Sequence, residues 1–427
     1  MSFAAPLDRT RMIVAASIGN AIEFYDFIIY GFFAPAIATT FFPGRDATTQ
    51  LLLTFGAFGV SFGARPLGAL ILGAYADRVG RARAMVLSIS LMTVAGAMIA
   101  FMPGRAAIGL AAPWGILAAR LIQGLALGGE FGSATALMIE HSEGGEARAA
   151  SWQGTSQNVA GLLASGVAWL LSGTAIAPAL HVEAFRLAFG LGVLAGPVAL
   201  LLRRRLQDAP GFLAARHHRA PADRPTLSGI AIAAGMVAIG TAQTYLVIYL
   251  PTYATTQLHL RAGSVLGAVF LLYVAMVALT PVRLLVAARF DASRRCLPMV
   301  VSCAAVLTAG YPCFILLGLW PNALTLFLLP LGLTLLGLVY SAPLQGFMGM
   351  VFSVRRRGVG LSVGYAVGIA LFGGFAPFIN TWLIARTGDP SSPGLYLIFT
   401  AIVSITAILA ASRRLRPACV VRRLETG

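Results

Sequence analysis

Lysine is missing altogether: all 31 basic residues are arginine. Charge of either sign is scarce, 11% of the 427 residues, where an ordinary soluble domain carries about a quarter. Beside 58% hydrophobic residues, so few charges exclude a water-soluble globule. A chain of this length cannot build a core large enough to hide that much apolar surface, and a lipid solvent resolves the mismatch. The missing lysine itself carries no functional reading. The four cysteines, Cys296, Cys303, Cys313 and Cys419, lack metal-ligand spacing and read as small apolar fillers. No nucleophile–base set and no cofactor motif occurs, so neither an enzyme nor a cofactor is expected. No cleavable leader is expected either, because Met1 to Arg11 is short and polar and the first apolar run is long enough to stay in a membrane.

What the chain does have is glycine, 47 residues of it, as suits membrane helices that approach closely. A helix needs about 20 apolar residues to cross the hydrocarbon. Twelve such runs are present, at 13–35, 51–76, 84–103, 110–138, 150–173, 184–202, 227–250, 263–288, 297–318, 323–347, 358–384 and 393–411. The net charge of +16 sits in short arginine clusters between these runs, which is a topology signal and not a nucleic-acid footprint. With the N-terminus cytoplasmic, 23 arginines fall on the cytoplasmic side, 5 on the other, and Arg65, Arg120 and Arg283 within runs. Both termini are therefore expected in the cytoplasm. The longest polar stretch, 203–225, divides the runs six and six. Its His217 and His218 read as part of a solvated linker. The expected organisation is an all-α membrane protein of two six-helix halves, 1–205 and 227–427, joined by a cytoplasmic linker over 206–226, with a solute site between the halves.

The halves echo each other. After the second run comes GAYADRVGRAR (73–83), and after the eighth RFDASRR (289–295), which keeps an aspartate followed by paired arginines but has lost the glycines. The first of these resembles the loop signature of the major facilitator superfamily, and RLIQG (120–124) resembles its second signature. GNAIEFYDF (19–27), RPLG (65–68) and QGLALGGE (123–130) narrow the likeness to the metabolite:proton symporter family. TFFP (40–43), IGLAAP (108–113) and TGDPSSPG (387–394) are most similar to its citrate and tricarballylate symporters, while FGGFAP (372–377) is shared more widely. The sequence departs from the pattern at Gly129, where citrate symporters tend to lack a second glycine, and at Met350 and Ser353, where an acid and a proline are usual.

The resemblance implies a major facilitator fold of two pseudo-symmetric halves that imports an organic anion, a di- or tricarboxylate such as citrate, with protons. It also implies that Gly73, Asp77, Arg78, Gly80 and Arg81 form a gating loop that locks the halves together on the cytoplasmic side. The proton gradient would be the energy source. A monomer in the plasma (inner) membrane is expected, its partners being the anion, protons and the bilayer, with no nucleic acid.

Ionisable residues inside spans are expensive and mark function by default. Glu23 and Asp26, spaced i, i+3, share a helical face that Asn20 and Tyr30 extend. Arg120 lies near mid-depth in the fourth span with Gln123 beside it. The expectation is that Arg120 faces Glu23 and Asp26 across a central cavity and grips a carboxylate with its fork when an acid takes up a proton. A fixed ion pair joining two helices is the plainer account. Arg65 could be a second anion contact or a brace. Glu130, ten residues beyond Arg120 and about 15 Å along the axis, reads as a coupling or gating group. Arg283, near the cytoplasmic end of the eighth span, could bind the anion, with snorkelling as the plainer account. Gln153 and Gln157, Tyr245 and Tyr249 with Gln243, and Tyr365 and Asn380 could line the cavity or serve as interhelical glue. Two other readings stay open: a proline- or betaine-type osmolyte symporter, against which the short basic stretch after Ala411 argues, and a transporter-like receptor that moves nothing.

Overall fold

The computed structural model describes residues 9–44, 46–140, 146–172, 184–204, 226–293, 296–352 and 357–425. Among them there is no strand, and the helices line up as twelve rods in the order the apolar runs set. The first span is Arg9–Phe32 continued by Ala34–Phe41, and the two pieces meet at 69°. Pro35 opens the second piece, and a proline there removes a helix hydrogen bond and forces the bend. This is why the helix outruns the apolar stretch 13–35. The second span is Ala47–Gly63 then Arg65–Val79, broken just before Pro66. The third to seventh are Arg81–Phe101, Ala111–Glu140, Glu146–Ser172, Ala184–Arg204 and Leu227–Thr256. The eighth is Ala262–Ala278 with Thr280–Ser293, bent 44° beside Pro281. The ninth is Leu297–Leu319. The tenth is Ala323–Ser341 with Leu344–Met350, broken at Pro343. The eleventh is Arg357–Ile369, a π-turn Ala370–Gly374 and Ala376–Thr387, and the twelfth is Pro393–Glu425.

Helix ends use local chemistry. Asp46 caps the second span by accepting the Thr49 amide at 2.8 Å. The bonds from the Thr49 backbone and then its hydroxyl hold the Asp46 carboxyl below its ordinary range. Thr226 caps the seventh span by accepting the Gly229 amide at 3.3 Å. Gly80, between the second and third spans, takes φ +107°, where a side chain would be strained. The remainder of the expected linker, 206–225, lies outside the described residues, as does Ser353.

The spans form two six-helix halves built the same way. The third span packs on the sixth, as the ninth packs on the twelfth. The second packs on the fourth as the eighth on the tenth, and the first on the fifth as the seventh on the eleventh. Between halves, the second span meets the eleventh, the fifth meets the eighth and the first meets the seventh. At these seams glycine on one half often faces a bulky side chain on the other. Gly59 lies under Phe375, Gly374 under Phe62, Gly161 under Tyr273 and Gly31 under Ile248. Apolar side chains such as Phe101, Trp114, Leu194 and Leu319 are exposed on the outside, as lipid requires.

Within the first half, the second and fourth spans touch backbone to backbone. A Cβ on Gly68 would overlap the Leu125 carbonyl, one on Gly124 the Ser61 carbonyl and one on Gly128 the Arg65 carbonyl. The glycines of RPLG and QGLALGG thus let the second and fourth spans pack closely, and both Arg65 and Arg120 reach the ring of Phe27. Gly124→Ala is expected to destabilise the protein by about 1–3 kcal/mol, since backbone cannot yield as a side chain can. Thermal unfolding of the detergent-purified protein reads this, and an unchanged midpoint would refute the close approach.

Candidate substrate and proton site

Arg120 lies at the heart of the first half, 0% exposed. Its Nη1 donates to Gln123 Oε1 at 2.7 Å, one turn on along the fourth span. Its guanidinium carbon sits 3.4 Å from the centroid of the Tyr30 ring, with Phe27, Phe58 and Phe189 between 5.5 and 5.9 Å. Three spans therefore supply four π faces to one cation, each contact worth about 2 kcal/mol when desolvated. Arg120 Nε and Nη2, and Gln123 Nε2, have no hydrogen-bond partner among the described residues. Nε and Nη2 form one edge of the guanidinium, the edge that grips a carboxylate through two parallel bonds.

Asp26 is also buried, 6% exposed. Its carboxylate lies against two glycines of other spans. A Cβ on Gly192 of the sixth would overlap Oδ1, and one on Gly96 of the third would come within 3.1 Å of Oδ2. Oδ1 has no partner among the described residues. The aspartate feels the charge of Arg120 but forms no ion pair with it. For Asp26 the expected pairing with Arg120 across the cavity is therefore corrected. Tyr30, one turn beyond Asp26, takes the place over the guanidinium, and Asp26 turns toward the glycine niche. Sequence reasoning missed Gly96 and Gly192, because neither stands in a motif that points to Asp26. The side chain of Glu23 lies outside the described residues, as do those of Asp77, Arg81, Glu130 and Gln153.

Several candidates are bolts between helices. Asn20 Nδ2 donates to Ser156 Oγ at 2.6 Å, joining the first span to the fifth. The Tyr30 hydroxyl donates to the Thr54 carbonyl at 3.1 Å, joining the first to the second. Tyr249 and Thr381 bring their hydroxyls to 3.3 Å, and Gln243 donates to the Leu333 carbonyl at 2.8 Å. Arg65 stacks on Phe62 at 3.9 Å and Phe27 at 5.0 Å, within reach of the Tyr245 hydroxyl across the seam between halves. Asn380 is 1% exposed, and its Oδ1 is unpartnered among the described residues. Of the expected gating loop, Gly73 and Arg78 lie within the helix Arg65–Val79, Gly73 half-buried and Arg78 exposed, and the buried Gly80 makes the turn that follows.

Between the halves lies a cavity of about 110 Å³. Phe24 and Ile28 of the first span, Gln157 and Asn158 of the fifth, Thr244 of the seventh, and Tyr273 and Arg283 of the eighth contribute to its wall. Gln157 is within hydrogen-bonding reach of Tyr365. Of the two readings of Arg283, the structure favours the inward one: it lines this cavity, with its guanidinium against Gly154 of the fifth span.

The chain and its fold have counterparts among known proteins. The family model described as Major Facilitator Superfamily matches residues 16–348. The citrate-proton symporter of Klebsiella pneumoniae is 33% identical over 95% of this chain and 92% of its own length. The proline/betaine transporter of Salmonella typhimurium is 29% identical over 95% of this chain and 84% of its own. Among solved structures, the proton:xylose symporter XylE bound to 6-bromo-6-deoxy-D-glucose superposes with a TM-score of 0.76, at 14% identity and 94% coverage of both chains, a likeness of fold alone. The chain belongs to the major facilitator superfamily, in its metabolite:proton symporter family, and is a multi-pass membrane transporter, not an enzyme.

Proposed function

We propose that this protein imports an organic anion, a di- or tricarboxylate such as citrate, together with protons, by alternating access between its two halves. The observation that carries this reading is the buried edge of Arg120. A desolvated guanidinium with two unpartnered donors is costly, and a bound carboxylate offsets that cost with two charge-assisted bonds. Gln123 steadies the fork and offers its own amide. The likeness to a citrate-proton symporter supports the same substrate class.

In this reading Arg65, Gln157, Tyr245 and Tyr249 set the walls around the path, and Asn20 and Tyr30 hold the first span in register. Asp26 carries the coupled proton, with Glu23 and Glu130 as further proton groups. Gly73, Asp77, Arg78, Gly80 and Arg81 form the gate. The protein works as a monomer in the plasma (inner) membrane with both termini in the cytoplasm, and the proton gradient supplies the energy without a cofactor.

The likeness to a proline/betaine transporter raises a second reading. A quaternary ammonium solute would need open aromatic faces. Here the faces of Tyr30 and Phe62 are taken by the protein's own guanidinium groups, which favours the anion. Proteoliposomes given labelled citrate, 2-oxoglutarate or betaine decide between them. Concentrative citrate or 2-oxoglutarate uptake driven by an inward proton gradient is expected. Betaine uptake alone would replace the substrate class, and gradient-independent citrate flux would remove symport.

A further inference from the structure

We infer that Arg283 forms a second anion subsite, in the cavity between the halves, that selects substrates bearing more than one carboxylate. The inference rests on the carboxylate reading above. Arg283 lies six residues before Arg289 on the eighth span, about 9 Å along the axis, yet its guanidinium lies against Gly154 of the fifth span and lines the cavity between the halves. The eighth span bends by 44° just before it and carries it into the seam between the halves. Gly154 of the fifth span clears the ground, since a Cβ there would overlap the guanidinium. Arg283 Nε is buried without a partner among the described residues. No acid is among the described residues that line the cavity, so nothing in that wall neutralises the charge.

The opposite wall supplies the amides of Gln157 and Asn158 from the other half. At about 110 Å³ the cavity has room for roughly seven to eleven water-sized spheres, the scale of a small organic anion. Arg120 is enclosed within one half, whereas Arg283 stands where both halves meet. One carboxylate at each position would make a polyvalent anion report on both halves, and a monocarboxylate would satisfy one cation and leave the other bare.

The test is citrate uptake by the full chain in proteoliposomes. Arg283→Gln is expected to raise the citrate KM about tenfold or more, the loss of a charge-assisted hydrogen bond, while Vmax stays within about twofold. Arg283→Lys, which keeps the charge without the fork, recovers part of the loss. Asn158→Leu, on the facing wall, raises KM in the same direction and covers the case in which Arg283→Gln does not fold. A citrate KM within about twofold of wild type in Arg283→Lys and Asn158→Leu, or a fall in Vmax at constant KM, overturns the inference. Wild-type protein that takes up no carboxylate is a different failure, seen before any variant is made. It overturns the carboxylate reading and this subsite with it.

Discussion

Arg120→Ala is expected to reduce carboxylate uptake to the level of empty liposomes. Two charge-assisted hydrogen bonds from one guanidinium edge contribute about 1.5–3 kcal/mol each, so their loss lowers affinity by about 10²–10⁴-fold. The side chain is fully buried between Gln123 and Tyr30, whereas Arg65, which shares the Phe27 ring, stacks on Phe62 and reaches toward Tyr245. Arg120→Lys is expected to fall between, since an ammonium keeps the charge but cannot present two parallel donors or stack as a plane on Tyr30. Folding is checked separately by monodispersity in detergent, because alanine leaves a void and orphans Gln123 Oε1. Equilibrium citrate binding decides the matter: a variant that folds and binds as wild type would place the substrate elsewhere.

The architecture was legible because hydropathy and arginine placement are read one residue at a time. Twelve apolar runs became twelve helical rods in the same order, and departures occurred where proline acts, as at Pro35 and Pro281. The candidate site was legible only as a set of residues. Periodicity shows that Asp26 and Tyr30 share a face, but not which of them meets Arg120. That depends on the rotation of each span against its neighbours, which glycines far away in the sequence decide: Gly96 and Gly192 open the niche that takes Asp26. Arg283 was legible as a cation near the cytoplasmic end of the eighth span, but not which way its head turns, which Gly154 of the distant fifth span allows. Asn20 and Tyr249 could equally have been ligands or bolts, and the deciding facts, Ser156 and Thr381 within reach, lie 136 and 132 residues away.

Asp26→Asn is expected to leave substrate exchange intact and abolish accumulation. Asparagine matches the shape of a protonated aspartate, so the niche beside Gly96 and Gly192 accepts it without a new clash. It cannot gain or lose a proton. In the proposed mechanism the Asp26 carboxylate, within electrostatic reach of Arg120, competes with the substrate for that cation when ionised and ceases to do so when protonated. Substrate and proton then bind together, and an inward proton gradient drives the anion uphill. With the competitor permanently neutral, Arg120 stays open to the anion in either direction. Counterflow of labelled citrate against unlabelled citrate therefore continues, while the inside-to-outside ratio under a proton gradient settles at its passive value. This combination separates a coupling role from damage to the fold, which would abolish both. An Asp26→Asn protein that still concentrates citrate would move the coupling proton to another residue, and the two acids to examine next are Glu23 and Glu130.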